Sequence, residues 1–279
     1  MELAKARAHG RGRRPPALAR WGLVAALAVW APDAAWGSAW NRMAGDGLAV
    51  FDVTIGSGTD YFNGRGHLAP ARAYTKGEIA GYVEYGATDW LMLIARPSFD
   101  DVRIGTPDAA HYVGLGTTSA GVQVQILKRG AAVLAVQATA GLPGTTSQRN
   151  PAELGNTARQ GDLRLLGGVS FQPWHIETFI DAQASYRLRS GGAAAEWHSD
   201  LTFGVRPTSR LMLLLQSVTV VPTGSGTPWL PSSMSTKLGL TGVYELTPKI
   251  SFDLGLFTTL TGRDALRERV ITTGLWYRF

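Results

Sequence analysis

The feature that most constrains this chain is a period of two that runs almost from end to end. In KISFDLGLFTTLTG, Lys249 to Gly262, one face carries Ile250, Phe252, Leu254, Leu256, Thr258 and Leu260, and the other Ser251, Asp253, Gly255, Phe257, Thr259 and Thr261. In HIETFIDAQASYRL, Ile176, Thr178, Ile180, Ala182, Ala184, Tyr186 and Leu188 alternate with Glu177, Phe179, Asp181, Gln183, Ser185 and Arg187. Successive side chains of a strand point to opposite faces, so this pattern reads as strands with one apolar face. Twelve segments follow it: 48–62, 72–86, 90–104, 113–127, 131–144, 161–172, 175–189, 194–206, 210–222, 233–246, 249–261 and 267–279.

The links sharpen the reading. Residues 87–89, 128–130, 173–174, 207–209 and 247–249 are tight turns. Residues 63–71, 105–112, 145–160, 190–193, 223–232 and 262–266 are longer, and the two kinds alternate along the chain. An up-and-down meander with long loops at one end and short turns at the other predicts that order. The expected fold is all-β: a transmembrane up-and-down antiparallel β-barrel of about 12 strands, after a cleaved signal peptide. Ten or fourteen strands stay open, because Gly56 and Gly58 break the segment 48–62. A lipocalin-like barrel or a sandwich would keep its apolar face inside. Here the less apolar faces carry charges of alternating sign, which suits a wet lumen.

Residues 1–39 differ from the rest. Six basic residues precede WGLVAALAVWA, Trp21 to Ala31, and Gly37 to Ala39 offer a small-x-small cleavage site. This is the pattern of an export signal, and its apolar run is far short of the ~20 residues that span a bilayer. The barrel domain is then 40–279. The leader holds much of the formal net charge of +6 and leaves 21 Lys and Arg against 19 Asp and Glu. No basic face remains for a nucleic acid. Cysteine is absent, so an exported chain does without disulfides. No second apolar run of ~18 residues follows the leader.

The last strand, RVITTGLWYRF, places Ile271, Thr273, Leu275, Tyr277 and Phe279 on one face. In this it resembles the bacterial outer-membrane β-barrels, where a terminal phenylalanine behind alternating apolar and aromatic residues is read by the barrel-assembly machinery. The resemblance implies an assembly signal at Tyr277 and Phe279, outer-membrane lipid and lipopolysaccharide as surroundings, and a lower girdle for the strand's aromatics. A narrower likeness lies in GLGTTSAGVQVQIL, Gly114 to Leu127, followed by VQATAGLPG, Val136 to Gly144. It resembles the GLGD–hairpin–LP(T)G pattern of the meta-pathway phenol-degradation family. Thr117 stands where that family usually has Asp, and the threonine before the last Gly is missing. The likeness implies an outer-membrane channel for hydrophobic or aromatic solutes.

Catalytic and cofactor motifs are sparse. There is no G-x-S-x-G elbow, no H-E-x-x-H and no phosphate loop at Gly64–His67 or Gly114–Gly116. No cofactor or metal is expected. Glu196, His198 and Asp200 share one strand face, spaced for a metal or proton relay, or as a polar lumen wall. Charges facing lipid at mid-membrane cost about 2–4 kcal/mol for Arg or Lys. The charged residues therefore face inward: Lys76, Glu78, Glu84, Arg96, Arg164, Glu177, Asp181, Arg187, Glu196, His198, Asp200, Lys237, Glu245, Asp253 and Arg278. Tyr82, Phe179 and Phe257 narrow the lumen. The loop 145–160, with Arg149, Glu153 and Arg159, folds into the mouth or lies on the surface; Trp229 marks a ligand contact or an aromatic belt. The function these residues favour is a narrow channel for small solutes. The alternatives are a lipid hydrolase around His198 and a sealed structural or adhesive barrel.

Overall fold

The computed structural model describes residues 38–106, 109–146, 150–224, 226–227 and 230–279. Residues 1–37, with most of the expected leader, and also Arg149 and Trp229, lie outside the described residues.

Twelve long strands form one closed sheet. They are β1 (Gly47–Phe62), β2 (Leu68–Gly86), β3 (Leu91–Arg96 continued by Ser98–Ile104), β4 (Ala110–Leu115 continued by Thr118–Arg129), β5 (Ala132–Leu142) and β6 (Gln160–Phe171). The second half is β7 (Glu177–Arg189), β8 (Glu196–Thr208), β9 (Leu211–Pro222), β10 (Met234–Glu245), β11 (Ile250–Arg263) and β12 (Arg269–Arg278). Each strand pairs antiparallel with its chain neighbour, and β1 pairs with both β2 and β12, from Leu48↔Arg278 to Ser57↔Arg269. No long edge is left, so backbone donors and acceptors in the wall are satisfied by neighbouring strands, as a bilayer core demands.

The alternation settles which face meets lipid. Phe51, Ile55, Ile79, Leu93, Leu165, Leu240, Leu254, Leu256 and Ile271 are exposed on the outside, while Asp52, Asp100, Asp162 and Asp253 are buried inside. Of the charges expected to face inward, Glu84, Asp181, His198 and Asp253 are among the buried residues.

Two departures come from backbone chemistry. Pro97 interrupts β3 because it has no N–H. The register with β2 is unbroken, from Val83↔Ala95 to Ala80↔Ser98, but of the two bonds due between Gly81 and Pro97 only the Gly81 N–H to Pro97 O bond, 3.0 Å, can form. Opposite it, β4 bulges at Gly116–Thr117: the register changes from Arg96↔Ser119 to Phe99↔Leu115. The upper half of β4, Ala110–Leu115, pairs with β3 alone, and the loop after β5 lies against it. A Cβ on Gly144 would stand 1.7 Å from the Leu115 carbonyl oxygen, so only glycine permits this approach. The two glycine motifs singled out in the sequence therefore meet here. The link before β4 is shorter than 105–112, since β4 begins at Ala110.

The contrast between loops and turns is narrower than expected. The link 172–176, containing a short 3-10 turn, is as long as 63–67. The loop 143–159 stays the longest. Its turn Pro151–Asn156 is capped by the Asn150 side chain, which accepts from the Ala152 N–H. Ala152, Asn156 and Ala158 are buried, so this loop folds into the mouth.

The lumen candidate site

The inside of the barrel has three levels. At the end carrying the short turns and Phe279, the lumen is not wet, contrary to the expectation of a polar interior. Leu48, Val50, Met92, Ile94, Val133, Leu166, Phe179, Met212, Val243 and Trp276 point inward and form a packed apolar floor. A narrow barrel can close its own lumen with side chains. The segment before β1 completes the closure. Ser38 and Ala39, the last two residues of the expected leader, take part: Ala39 N–H donates to Asp181 Oδ2 at 2.8 Å, and Gln123 Nε2 donates to the Ser38 carbonyl at 2.8 Å, two bonds that cleavage after Ala39 would remove while leaving Trp40 in place. Trp40 meets Phe179 edge to face at 5.8 Å and lies against Gly168, where a Cβ would overlap its ring. Arg42 bonds Glu84 at 2.8 Å, and Tyr82 donates its hydroxyl to the same carboxylate.

Trp276 corrects the expectation for the last strand. It faces inward, is buried, and donates Nε1–H to Asp253 Oδ2 at 2.6 Å. Tyr277 and Phe279 do face outward, stacked at 6.0 Å. Also at this end, Arg206 bonds Glu245 (2.7 Å) and Glu177 (3.4 Å), and Arg278 lies 3.8 Å from Glu245.

Above the floor is a cavity of about 400 Å³. Its wall is two-sided. Strands β1 to β8 contribute polar and charged groups, among them Asp52, Arg96, Arg164, Gln183 and Asp200. Strands β9 to β12 contribute Leu214, Val218, Phe257, Val270 and Trp276, alongside Gln216, Thr241 and Asp253. The inward positions assigned to Tyr82 and Phe257 are those observed.

Towards the long loops the lumen is a polar vestibule, with a second cavity of about 310 Å³. Lys76 bonds Glu78 at 2.8 Å and Asp100 at 3.1 Å, and Arg96 bonds Glu78 at 2.6 Å. Asn156 of the inserted loop donates to Asp100 at 2.7 Å. Arg187 reaches Asp162 at 3.2 Å, Arg164 bridges Asp162 and Asp200, and Lys237 pairs with Glu268. These pairs run along single strands, between neighbours and across the strand between β6 and β8, and hold the wall in one arrangement.

The row Glu196–His198–Asp200 is split. His198 Nε2 lies 3.1 Å from Glu196, which also takes Arg189 at 2.7 Å, while Asp200 is held by Arg164. Ser199 is on the opposite face of β8. No relay is assembled, and among the described residues no group of three or more His, Cys, Asp or Glu is arranged to hold a metal ion.

Several inward charges escaped the sequence reading: Asp52, Asp100, Asp162, Arg189, Arg206 and Glu268. A signal existed for Asp100, which keeps the parity of Arg96 along β3. Asp52 was hidden by the glycines that weaken the pattern of β1.

An outer-membrane channel from Pseudomonas putida F1 shares the architecture, with a TM-score of 0.73 at 14% identity, over 88% of this chain and 100% of that one. The translocator domain of the autotransporter NalP from Neisseria meningitidis matches with a TM-score of 0.52 at 10% identity, over 85% of this chain and 90% of that one. No family model matches the chain, and no curated protein matches it. The narrower resemblance of residues 114–144 thus has no support from a family match. At these identities the likeness is one of fold. In that fold, and in an exterior apolar all round, the chain is built like the bacterial outer-membrane β-barrels.

Proposed function

We propose that this barrel is a narrow channel for small solutes, entered from the vestibule and held closed by its apolar floor. The observation that carries the reading is the cavity of about 400 Å³ at mid-barrel, continuous in chemistry with the polar vestibule and walled by one polar and one apolar sector. Such a wall suits solutes with an apolar body and one polar group. Passage onward requires the segment around Trp40 to leave its seat beside Phe179 and Gly168.

Single-channel recording of the refolded barrel in a planar bilayer tests this. Small discrete steps are expected. The closed floor favours a second reading, a sealed barrel whose loops do the work. A folded barrel that stays silent, even with Trp40 replaced by Gly, would establish that reading and refute the channel.

The surroundings proposed for the barrel are outer-membrane lipid and lipopolysaccharide, with the assembly machinery engaging the last strand. Tyr277 and Phe279 support this by facing outward, and Phe279 closes the barrel through two backbone bonds to Gly47. Phe279→Ala should lower the amount of folded barrel in outer-membrane fractions; an unchanged amount would remove the terminal residue from that role.

A further inference from the structure

We propose that the central cavity binds a small organic ammonium ion, with Asp52 as the group that receives its positive nitrogen. The inference rests on the reading of the lumen as open to solutes and adds the solute's charge class.

Asp52 is 1% exposed, lines the cavity, and neither of its carboxylate oxygens has a hydrogen-bond partner among the described residues. The neighbouring strands offer it none: directly across from it stand Ala80 on β2 and Gly274 on β12. The charged groups that face it are Arg96, Glu78 and Asp253. Arg96 is committed elsewhere, at 2.6 Å from Glu78 and 3.9 Å from Asp52. Asp253 lies on the far side of Gly274, its Oδ2 only 2.4 Å from where a Cβ on that glycine would be, so two carboxylates flank one bare backbone position. Trp276 supplies a neutral donor to Asp253 and no charge. Glu78 is satisfied by Lys76 and Arg96 together, and among the described residues no cation comes nearer to Asp52 than Arg96 at 3.9 Å, so the side chains leave negative charge uncompensated at Asp52 and Asp253. A buried carboxylate held this way is costly unless a partner arrives.

The rest of the wall says what kind of partner. Calcium or magnesium wants six or more oxygen ligands and zinc a cluster of His, Cys or carboxylates, and the sector beside Asp52 and Asp253 is Phe257, Val270 and Trp276 instead. An ammonium on an aryl or alkyl body satisfies both sides: its N–H groups donate to the carboxylates, and its body lies on the apolar sector. Aromatic faces there favour a cation further.

Equilibrium binding to the folded barrel in non-ionic detergent decides the matter. The probe is benzylammonium, with benzyl alcohol and benzoate as neutral and anionic counterparts. Benzylammonium should bind, benzoate should not, and benzyl alcohol should bind at least about tenfold more weakly. Asp52→Asn should bring benzylammonium down to the level of the alcohol. Thr54→Lys, which sets a fixed ammonium on the same inward face, should abolish binding and covers the case of an Asn variant that fails to fold; unboiled gel mobility reports folding of both. Equal binding of benzylammonium and benzyl alcohol, or binding unchanged in either folded variant, would overturn the proposal. The measurement needs no passage through the floor. A barrel silent in bilayers that binds benzylammonium through Asp52 keeps this site and loses the channel. A conducting barrel indifferent to benzylammonium does the reverse.

Discussion

The two halves of the lumen are built from the same twelve strands and the same alternation, yet they solve opposite problems. Near the long loops, inward positions hold Lys76, Glu78, Arg96, Asp100, Asp162, Arg164 and Arg187, paired along and across strands around a cavity of about 310 Å³. Near the short turns, the same inward rows hold Val50, Met92, Leu166, Met212 and Trp276, and the chain's own segment at 38–42 fills what remains. Facing away from lipid does not require a residue to be polar. It only frees the residue from lipid, and whether water or protein fills the space then selects charges or packed carbon.

The comparison can be broken most severely at Trp40. Trp40→Ala should cost the seated segment about 3–5 kcal/mol of packing and raise the conductance step of the barrel. An unchanged step in bilayer recordings would mean the floor is closed by the strands alone. Next comes the seam between the halves. Trp276→Phe keeps the ring but removes the donor to Asp253, and an expected loss of about 1–3 kcal/mol should appear in denaturant unfolding. A variant as stable as the parent would show that lumenal water replaces the bond.

In the vestibule the effects should be electrical before they are structural. Replacing Arg187 and Lys237 together by Glu removes the cations beside Asp162 and Glu268 and should move the reversal potential towards cation preference. Unchanged selectivity would place the ion path away from that wall. The smallest change is expected from Asn156→Ala. It removes one bond to Asp100, worth about 0.5–1.5 kcal/mol, and should loosen the inserted turn 151–156 to limited proteolysis without altering barrel stability. Protection equal to the parent's would show that Ala152 and Ala158 hold the turn unaided.

Much of the wall was legible because alternation and loop order are local. Leu254 and Asp253 must face opposite ways on any strand, and lipid on one side decides which way. The partners were not legible. Glu196, His198 and Asp200 share a face by spacing, but Arg189 on β7 and Arg164 on β6 divide them. Gly144 read as the end of the segment 131–144; its need is the carbonyl of Leu115, nearly thirty residues away in the chain. Trp276 read as one more aromatic at a membrane boundary, although its parity with Arg278 and Gly274 already set it inside.

By itself the sequence determined the strands, their order and which face meets lipid, and put their number at about twelve, because each depends on a period of two and on the cost of charge in hydrocarbon. Only the tertiary structure decided that one half of the lumen is packed and the other ionic, and that Asp52 has no hydrogen-bond partner among the described residues. Those outcomes depend on cross-strand register and on a chain segment folding back inside. Both join residues far apart in sequence, and no local pattern encodes them.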